Sequence, residues 1–286
     1  MTLIEVVEAS AARLADAGVA FGHGTTNAFD EAAWLVLRSL GLPIDDLDSV
    51  ADMSVSPQQK ESVDELITER IQSRKPAAYL TREAWLQGVA FYVDERTIVP
   101  RSFIAELIAQ GTIDPWLTEE TKDVLDLCTG NGSLAVLAAM AYPDVRVDAA
   151  DISRDALAVA RINVDKHGLA DRITLIESDG LAKVQGLYDL ILCNPPYVNA
   201  QSMAQLPDEF RAEPQIALAG GADGMDFIHA LLRDAPAKMS DIGALVLEIG
   251  NERDNFERAF PQLECVWLET SAGGDNVVLI TRAALV

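Results

Sequence analysis

The sequence predicts an α/β protein, a mainly parallel sheet covered by helices on both faces, preceded by a small helical domain. Three observations lead there. From Asp123 onward, apolar runs of strand length alternate with helix-length segments, the pattern of a parallel sheet with helical crossovers. Val124-Leu-Asp126-Leu-Cys-Thr129-Gly130-Asn-Gly132 reads as a strand, a glycine-rich turn and the start of a helix. The apolar run Tyr188 to Cys193 then stops at Asn194-Pro195-Pro196-Tyr197. Neither proline can donate to a neighbouring strand, and each pushes the residue before it towards extended backbone. A stiff loop therefore sits at a strand's C-terminal end, where open α/β sheets place their ligands.

Taken in order, the chain opens with a capping box, Thr2-Leu-Ile-Glu5. Ile4, Val7, Ala11 and Leu14 follow at helical spacing, and Gly18 ends that helix. A second helix fits 28–40, with Trp34, Leu37 and Leu40 facing a core and Gly41 and Pro43 beyond. Ser56-Pro57 is an N-cap followed by proline at the first helical position. Val63, Leu66, Ile67 and Ile71 line the third helix, which stops before Pro76. Residues 1–83 thus read as a helical domain whose Trp and Leu side chains are core. Residues 84–101 alternate through Trp85, Val89, Phe91 and Val93, which predicts a β-hairpin linker. Pro100-Arg101-Ser102 ends it, and Ser102 caps a helix over 103–109. Arg101 reads either as a surface charge or as a pocket residue.

Residues 102–286 carry the alternating domain. Strands are expected at 123–128, 145–150, 173–178, 188–193, 244–249, 265–270 and 276–282, and helices at 132–141, 153–167, 225–238 and 252–259. The last two strands are separated only by Ser271 to Asp275. Parallel neighbours need a longer crossover, so the final strand should run antiparallel. The connection from Tyr197 to Gly224 has no clear periodicity. A loop of that length is either a cover over a site or a solvated excursion.

Composition narrows the function classes. None of the apolar runs reaches the roughly 18 residues of a membrane span, and the N-terminus lacks the basic start of a signal peptide. Cys128, Cys193 and Cys265 are widely spaced, in or beside predicted strands, as expected of reduced thiols in a cytoplasmic protein. His23, His167 and His229 show no ligand spacing, so no metal site is expected. Asp and Glu number 45 against 22 Lys and Arg, a net charge of −23. That opposes a broad nucleic-acid footprint. It suits a strongly basic protein partner, or simply solubility.

The motif residues suggest chemistry. Asn194 offers an amide, the Asn194 and Pro195 carbonyls have no obligatory partner, and Tyr197 adds a flat ring. Together they suit gripping a small planar group with an N–H to hold, or else they form a capped proline turn. Gly130 and Gly132 allow close backbone approach to a ligand. Gly-x-Gly alone does not exclude a dinucleotide fold, since Ala135 is tolerated in that fingerprint. The absence of Gly-Lys-Ser/Thr argues against a P-loop. The Asp126 carboxylate would repel a pyrophosphate and suit a cationic ligand. Asp151 closes the next strand, where a carboxylate either accepts ribose hydroxyls or caps the following helix.

Asp-x-x-Thr-Gly-x-Gly, the strand-end acid about two dozen residues later and Asn-Pro-Pro-Tyr together resemble class I S-adenosylmethionine-dependent methyltransferases, Rossmann-like folds whose last strand is antiparallel. Tyr79 to Trp85, Phe91 to Ser102 and Glu213 to Gly224 resemble the HemK/PrmB family of protein-(glutamine-N5) methyltransferases, nearly end to end. The likeness is strongest to the branch that modifies the third large-subunit ribosomal protein. This resemblance implies S-adenosyl-L-methionine as cofactor and a basic ribosomal protein as substrate, recognised with help from the helical domain. It implies neither stable nucleic-acid binding nor a membrane. By resemblance, Asn194 and Pro195 orient the amide nitrogen, Pro196 stiffens the loop and Tyr197 packs on the amide. Asp126, Thr129, Gly130 and Gly132 hold the methionine end and Asp151 the ribose. Asp179 accepts the adenine amino hydrogen, or is a turn residue with Gly180. Arg101 and Asn194 border the cofactor. One departure is Phe103, where the family pattern has proline. Release-factor glutamine methylation and methylation of an exocyclic base amine share these motifs. A non-catalytic binding module would not need all of Asp126, Gly130, Gly132, Asp151 and Asn194.

Overall fold

The computed structural model describes residues 1–286. Its N-terminal helices are α1 (Leu3–Asp16), α2 (Ala28–Ser39), the single turn α3 (Leu47–Val50), α4 (Pro57–Ser73) and the short α5 (Ala77–Thr81). Capping boxes open α1 and α4. Thr2 Oγ1 accepts from Glu5 N while Thr2 N donates to Glu5 Oε2, and Ser56 and Gln59 repeat the exchange. Leu3, Val7, Leu14, Leu35, Leu37, Val63 and Ile67 are fully buried and form one core. The helices α3 and α5 are too short to display a helical period, which is why spacing does not announce them.

The linker corrects the expected hairpin over 84–101. Only β1 (Ala84–Leu86) and β2 (Val89–Phe91) pair, across a two-residue turn. Gln87 and Gly88 there have φ of 49° and 74°, as a type I′ turn requires. Beyond Phe91 the backbone leaves the ladder. The buried Asn163 side chain accepts from Tyr92 N at 2.7 Å and donates to Tyr92 O at 2.9 Å, replacing a strand partner. Leu86 and Phe91 pack into the core of the second domain, while Ala84, Val93 and Val99 pack into that of the first. The linker is thus anchored in both.

The second domain begins with α6 (Phe103–Ala109) and builds a seven-stranded sheet in the order β5-β4-β3-β6-β7-β9-β8. Its members are β3 (Asp123–Leu127), β4 (Arg146–Asp151), β5 (Ile173–Glu177), β6 (Tyr188–Cys193), β7 (Met239–Glu248), β8 (Val266–Thr270) and β9 (Gly273–Thr281). Strands β3 to β7 are parallel, and β9 inserts antiparallel between β7 and β8. Period-two alternation divides the central strands between two cores. Val124, Leu190, Leu192, Ala244 and Val246 face α6 and α7 (Ser133–Ala141), with α8 (Arg154–Lys166) alongside. Leu125, Leu127, Ile191, Leu245 and Leu247 face α11 (Asp226–Asp234) and α12 (Arg253–Ala259). Both faces are covered, which explains why these strands read as unbroken apolar runs. The helix expected over 225–238 stops at Asp234. Pro236 lacks an N–H to continue it, and Ala235–Ala237 form a 3₁₀ turn. Strand β7 then starts earlier than expected, because Met239 pairs with Tyr188.

The connection after β6 is folded. It holds α9 (Ala200–Gln205) and α10 (Asp208–Arg211) and returns to Val198, where Val198 N donates to Leu218 O at 2.8 Å and Gly220 N to Val198 O at 2.9 Å. Helix α10 is held against the N-terminal helices by a buried carboxylate. Glu209 faces Arg70 at 3.4 Å and Arg74 at 2.9 Å. A terminal turn, α13 (Arg282–Leu285), closes the chain.

Candidate active site

Two cavities meet at the C-terminal ends of β3, β4 and β6. The first, ≈ 190 Å³, is bounded by Gly130, Asp151, Asp179 and Asn194 together with Arg96 to Ile98. The second, ≈ 170 Å³, lies between Asn194, Pro195, Tyr197 and Arg101 on one side and Leu206, Phe210 and Leu218 on the other. Asn194, Ile98 and Ala217 line both. The 198–224 connection therefore forms a wall of each cavity rather than a solvated excursion.

The glycine turn owes its shape to β3 ending early. Cys128, Gly130 and Gly132 have φ of 62°, 56° and 82°, so the chain doubles back directly above the strand. Gly130 has open space at its missing Cβ and lines the first cavity, whereas a Cβ on Gly132 would press on Ala160 at 3.1 Å. Gly132 thus serves the packing of α7 on α8. Asp126 is fully buried behind the turn and outside the cavity wall. Its Oδ2 accepts from Thr129 Oγ1 and from Ala135 N at 2.9 Å, and its Oδ1 has no partner. Burial pushes this carboxyl up to about 7, with the Thr129 and Ala135 hydrogen bonds only partly opposing it. Asp151 is on the wall. Its two oxygens accept from Gly130 N at 2.9 Å and Ser153 N at 2.8 Å, and burial raises its pKa. It therefore braces the glycine turn while facing the cavity. Asp179 is an exposed rim residue beside Ser178 and Gly180.

Around the second cavity, the Asn194 amide and the Pro195 carbonyl have no hydrogen-bond partner within the chain. Tyr197 is fixed by its surroundings. A Cβ on Gly220 would meet its Cα at 2.7 Å, one on Gly224 would overlap its carbonyl, and one on Gly250 would overlap its ring. Its hydroxyl donates to Glu248 Oε1 at 3.2 Å. Glu248, at the end of β7, is buried, and burial raises its pKa. Its other oxygen accepts from Ser102 Oγ and, at 2.9 Å, from Phe103 N. Proline at 103 could not make that last bond, so the departure at Phe103 adds a tie between α6 and β7.

Arg101 stands apart from the turn that holds Gly130 and Asp151. It lines the second cavity, donates to both oxygens of Glu213 at 2.6 and 2.7 Å, and lies over the Phe210 ring at 5.5 Å. Glu213 also accepts from Val99 N at 2.8 Å, and His23 lies 3.6 Å away. Burial alone would raise the Glu213 pKa, but the His23 ring and Arg101 outweigh it and hold it at about 2. Sequence reasoning did not single out Glu248 or Arg70, and it gave Glu209, one of a mixed charge cluster in the long connection, and His23 no role of their own. For Glu248 a signal existed, a lone acid closing the apolar run Ala244 to Leu247, at the level where Asp151 closes β4. No group of His, Cys, Asp and Glu is placed to hold a metal ion, and no helix is long and apolar enough to cross a membrane.

Residues 112–223 match the family model described as methyltransferase small domain. Over its whole length the chain is similar to proteins named ribosomal protein uL3 glutamine methyltransferase. It is 52% identical to the one from Bordetella pertussis, covering 99% of this chain and 96% of that protein. The Neisseria meningitidis serogroup A protein is 47% identical over 99% and 94%, and that of Bradyrhizobium diazoefficiens 45% over 100% and 92%. Among solved structures, the hMettl16 catalytic domain in complex with MAT2A 3'UTR hairpin 6 superimposes with a TM-score of 0.54 at 12% identity, covering 78% of this chain and 81% of that one. That likeness is one of fold, the class I methyltransferase sheet.

Proposed function

The chain belongs to the ribosomal protein uL3 glutamine methyltransferase family, and from that premise we propose how its two cavities divide the reaction. It is an enzyme that methylates a glutamine side chain of a large-subunit ribosomal protein. S-adenosyl-L-methionine occupies the first cavity and the glutamine amide the second. When bound, this cofactor supplies an electrophilic methyl group on a sulfonium centre. The observation that carries the reading is that Asn194 belongs to the walls of both cavities. A group-transfer enzyme needs such a residue between donor and acceptor.

The residues present fit that cofactor. Gly130 leaves space for close approach, and Asp151 presents a carboxylate at the wall for ribose hydroxyls. The exposed Asp179 carboxylate on the rim is free to accept from the adenine amino group. The Asp126 carboxyl, with Oδ1 unpartnered behind the turn, would be drawn towards its ionised form by a cationic ligand. Thr129 and Gly132 act indirectly, by holding Asp126 and seating α7.

In the acceptor cavity the task is orientation. An amide nitrogen is a poor nucleophile because its lone pair is delocalised into the carbonyl. Asn194 Oδ1 accepts one glutamine N–H and the Pro195 carbonyl the other, and Pro196 keeps the loop stiff. Held this way, the nitrogen faces the first cavity with its lone pair aligned, a proximity effect. Tyr197 walls the site. The N–H proton of a methylated, N-protonated amide is very acidic and leaves to water, so a strong base is not required. Arg101 sets the cavity's shape through Glu213 rather than touching the cofactor. The partner is a basic protein, met in the cytoplasm where it is made.

The test incubates the enzyme with labelled S-adenosylmethionine and undermethylated large-subunit proteins, with release factor, RNA and DNA in parallel. Mass spectrometry should place the label on a glutamine of the ribosomal protein. Preferential labelling of release factor or of a base would refute the substrate assignment.

A further inference from the structure

A concavity of the helical domain with both apolar and acidic lining lies outside the reaction cavities. It is a groove of ≈ 390 Å³ between α2, the α3 turn and the linker hairpin. Two features of it are unusual. On its rim, Phe29 and Trp85 are 41% and 42% exposed, beside the carboxylates of Asp30, Asp45 and Asp48. All three acids are exposed and none forms a salt bridge; only Asp30 has a side-chain partner, the Asn27 amide. On its floor lie two buried side chains that each leave a polar atom without a partner. His23 is 1% exposed, with Nε2 3.6 Å from Glu213 and Nδ1 unpaired, and Trp34 is 9% exposed with its indole N–H unpaired. Buried polar groups are almost always paired, so the orphan Trp34 N–H, with the unpaired Nδ1 of His23 beside it, points to a ligand that pairs it.

We propose that this groove docks a basic segment of the protein substrate flanking the glutamine, an inference that rests on the function proposed above. A Lys or Arg side chain would lie over Trp85 or Phe29, where a cation is attracted to an aromatic face, with Asp45 and Asp48 as its counter-charges. Backbone or side-chain acceptors of the same segment would receive the Trp34 N–H. Location supports one continuous segment. The His23 ring packs on Phe210 at 4.1 Å between centroids, and Phe210 lines the acceptor cavity with Asn194. Groove and acceptor cavity are therefore separated by that ring pair. The sign of the charge disfavours RNA, and also a second copy of a chain whose net charge is −23.

The experiment compares wild type, the double variant D45N/D48N and Trp34→Phe. Asp45 and Asp48 are exposed, so their replacement leaves the fold intact. Methylation of undermethylated ribosomal protein is measured at low and high salt. Binding of the same protein is measured without turnover, and cofactor affinity by calorimetry. The expected result for D45N/D48N is a KM raised about tenfold at low salt and less at high salt, with kcat and cofactor affinity within about twofold. Trp34→Phe, which keeps a ring but removes the donor, should raise KM about fivefold in a salt-independent way. Unchanged KM in a wild-type background that does methylate the protein overturns the groove alone. Binding through the groove without methylation keeps the groove and refutes the functional reading. A protein neither bound nor methylated overturns both. Loss of RNA retention or of self-association in D45N/D48N would assign the groove to another occupant and overturn the proposal.

Discussion

Asn194 stands where two cavities share a wall, and its amide has no partner of its own. Asn194→Ala should leave cofactor affinity intact and lower kcat about a hundred- to a thousandfold, as loss of one oriented polar group in a dry site does. Single-turnover kinetics with saturating substrates check this. Asp151 has the opposite profile. Asp151→Ala removes a wall carboxylate and the brace on Gly130 N, so S-adenosylmethionine should bind about 1.5–3 kcal/mol more weakly by calorimetry. Glu213 is a stability residue with a pH signature. Its pKa falls from the usual 4.5 to about 2 in the fold. A depressed carboxylate stabilises the fold above its unfolded pKa and loses that contribution as pH falls through the folded one. A drop of this size corresponds to about 3 kcal/mol at neutral pH. Urea unfolding of wild type and Glu213→Gln should differ by about that amount at pH 7. The gap should narrow below about pH 4.5 and close near pH 2.

At the level of elements, the site depends on where strands end and on the room left around Tyr197. The turns bearing Gly220, Gly224 and Gly250 converge on that one residue, and each excludes a Cβ there. Gly250 follows β7 directly and has a φ of 55°, a region where an L side chain is strained. Gly250→Ala should therefore push the Tyr197 ring, and with it the Asn194 loop, out of line. Misplacement by about 1 Å costs on the order of a hundredfold in rate, so kcat should fall by about that factor while cofactor affinity holds. The same kinetic and calorimetric pair measures it. The linker hairpin works on a different principle. Its two-residue turn is too short to bridge anything, yet Leu86 and Phe91 enter one core while Val93 and Val99 enter the other. The domains are joined by burial on both sides of a short strand pair.

At the scale of the whole molecule, charge holds the 198–224 wall of the second cavity in place. The fully buried Arg70 donates to Glu31 at 2.8 Å and reaches Glu209 of the 198–224 connection, which also meets Arg74. Glu213 makes the corresponding tie to Arg101 and Val99. The wall is thus pinned twice, by carboxylates taken out of water and paired. Removing one partner leaves a buried charge uncompensated, which costs about 3–5 kcal/mol. Arg70→Gln should destabilise the protein by about that amount in denaturant unfolding. It should also raise the KM for the ribosomal protein more than that for the cofactor, because the cavity it loosens is the acceptor's.

The sequence alone determined the sheet, the glycine turn and the Asn-Pro-Pro-Tyr loop. Each is local: apolar runs of strand length, a capping serine or a proline without an N–H fix backbone within a few residues. The antiparallel final strand was legible for the same reason, since even the five residues 271–275 expected between the strands are too few for a parallel crossover, and the observed connection is only 271–272. Tertiary structure decided what each polar residue does. Asp126 and Asp151 look alike in sequence, both acids at strand ends, yet one is sealed behind a turn and the other stands in a cavity wall. Arg101 stands at the end of the linker, and Glu213, more than a hundred residues away, draws it to the wall of the second cavity. Likewise the groove holding His23 and Trp34 exists only where α2, α3 and the hairpin come together. Hydrophobic periodicity determines which face of an element is buried. Which buried or half-buried polar groups meet depends on contacts between residues far apart in the chain, and for those the amino-acid pattern carries no local signal.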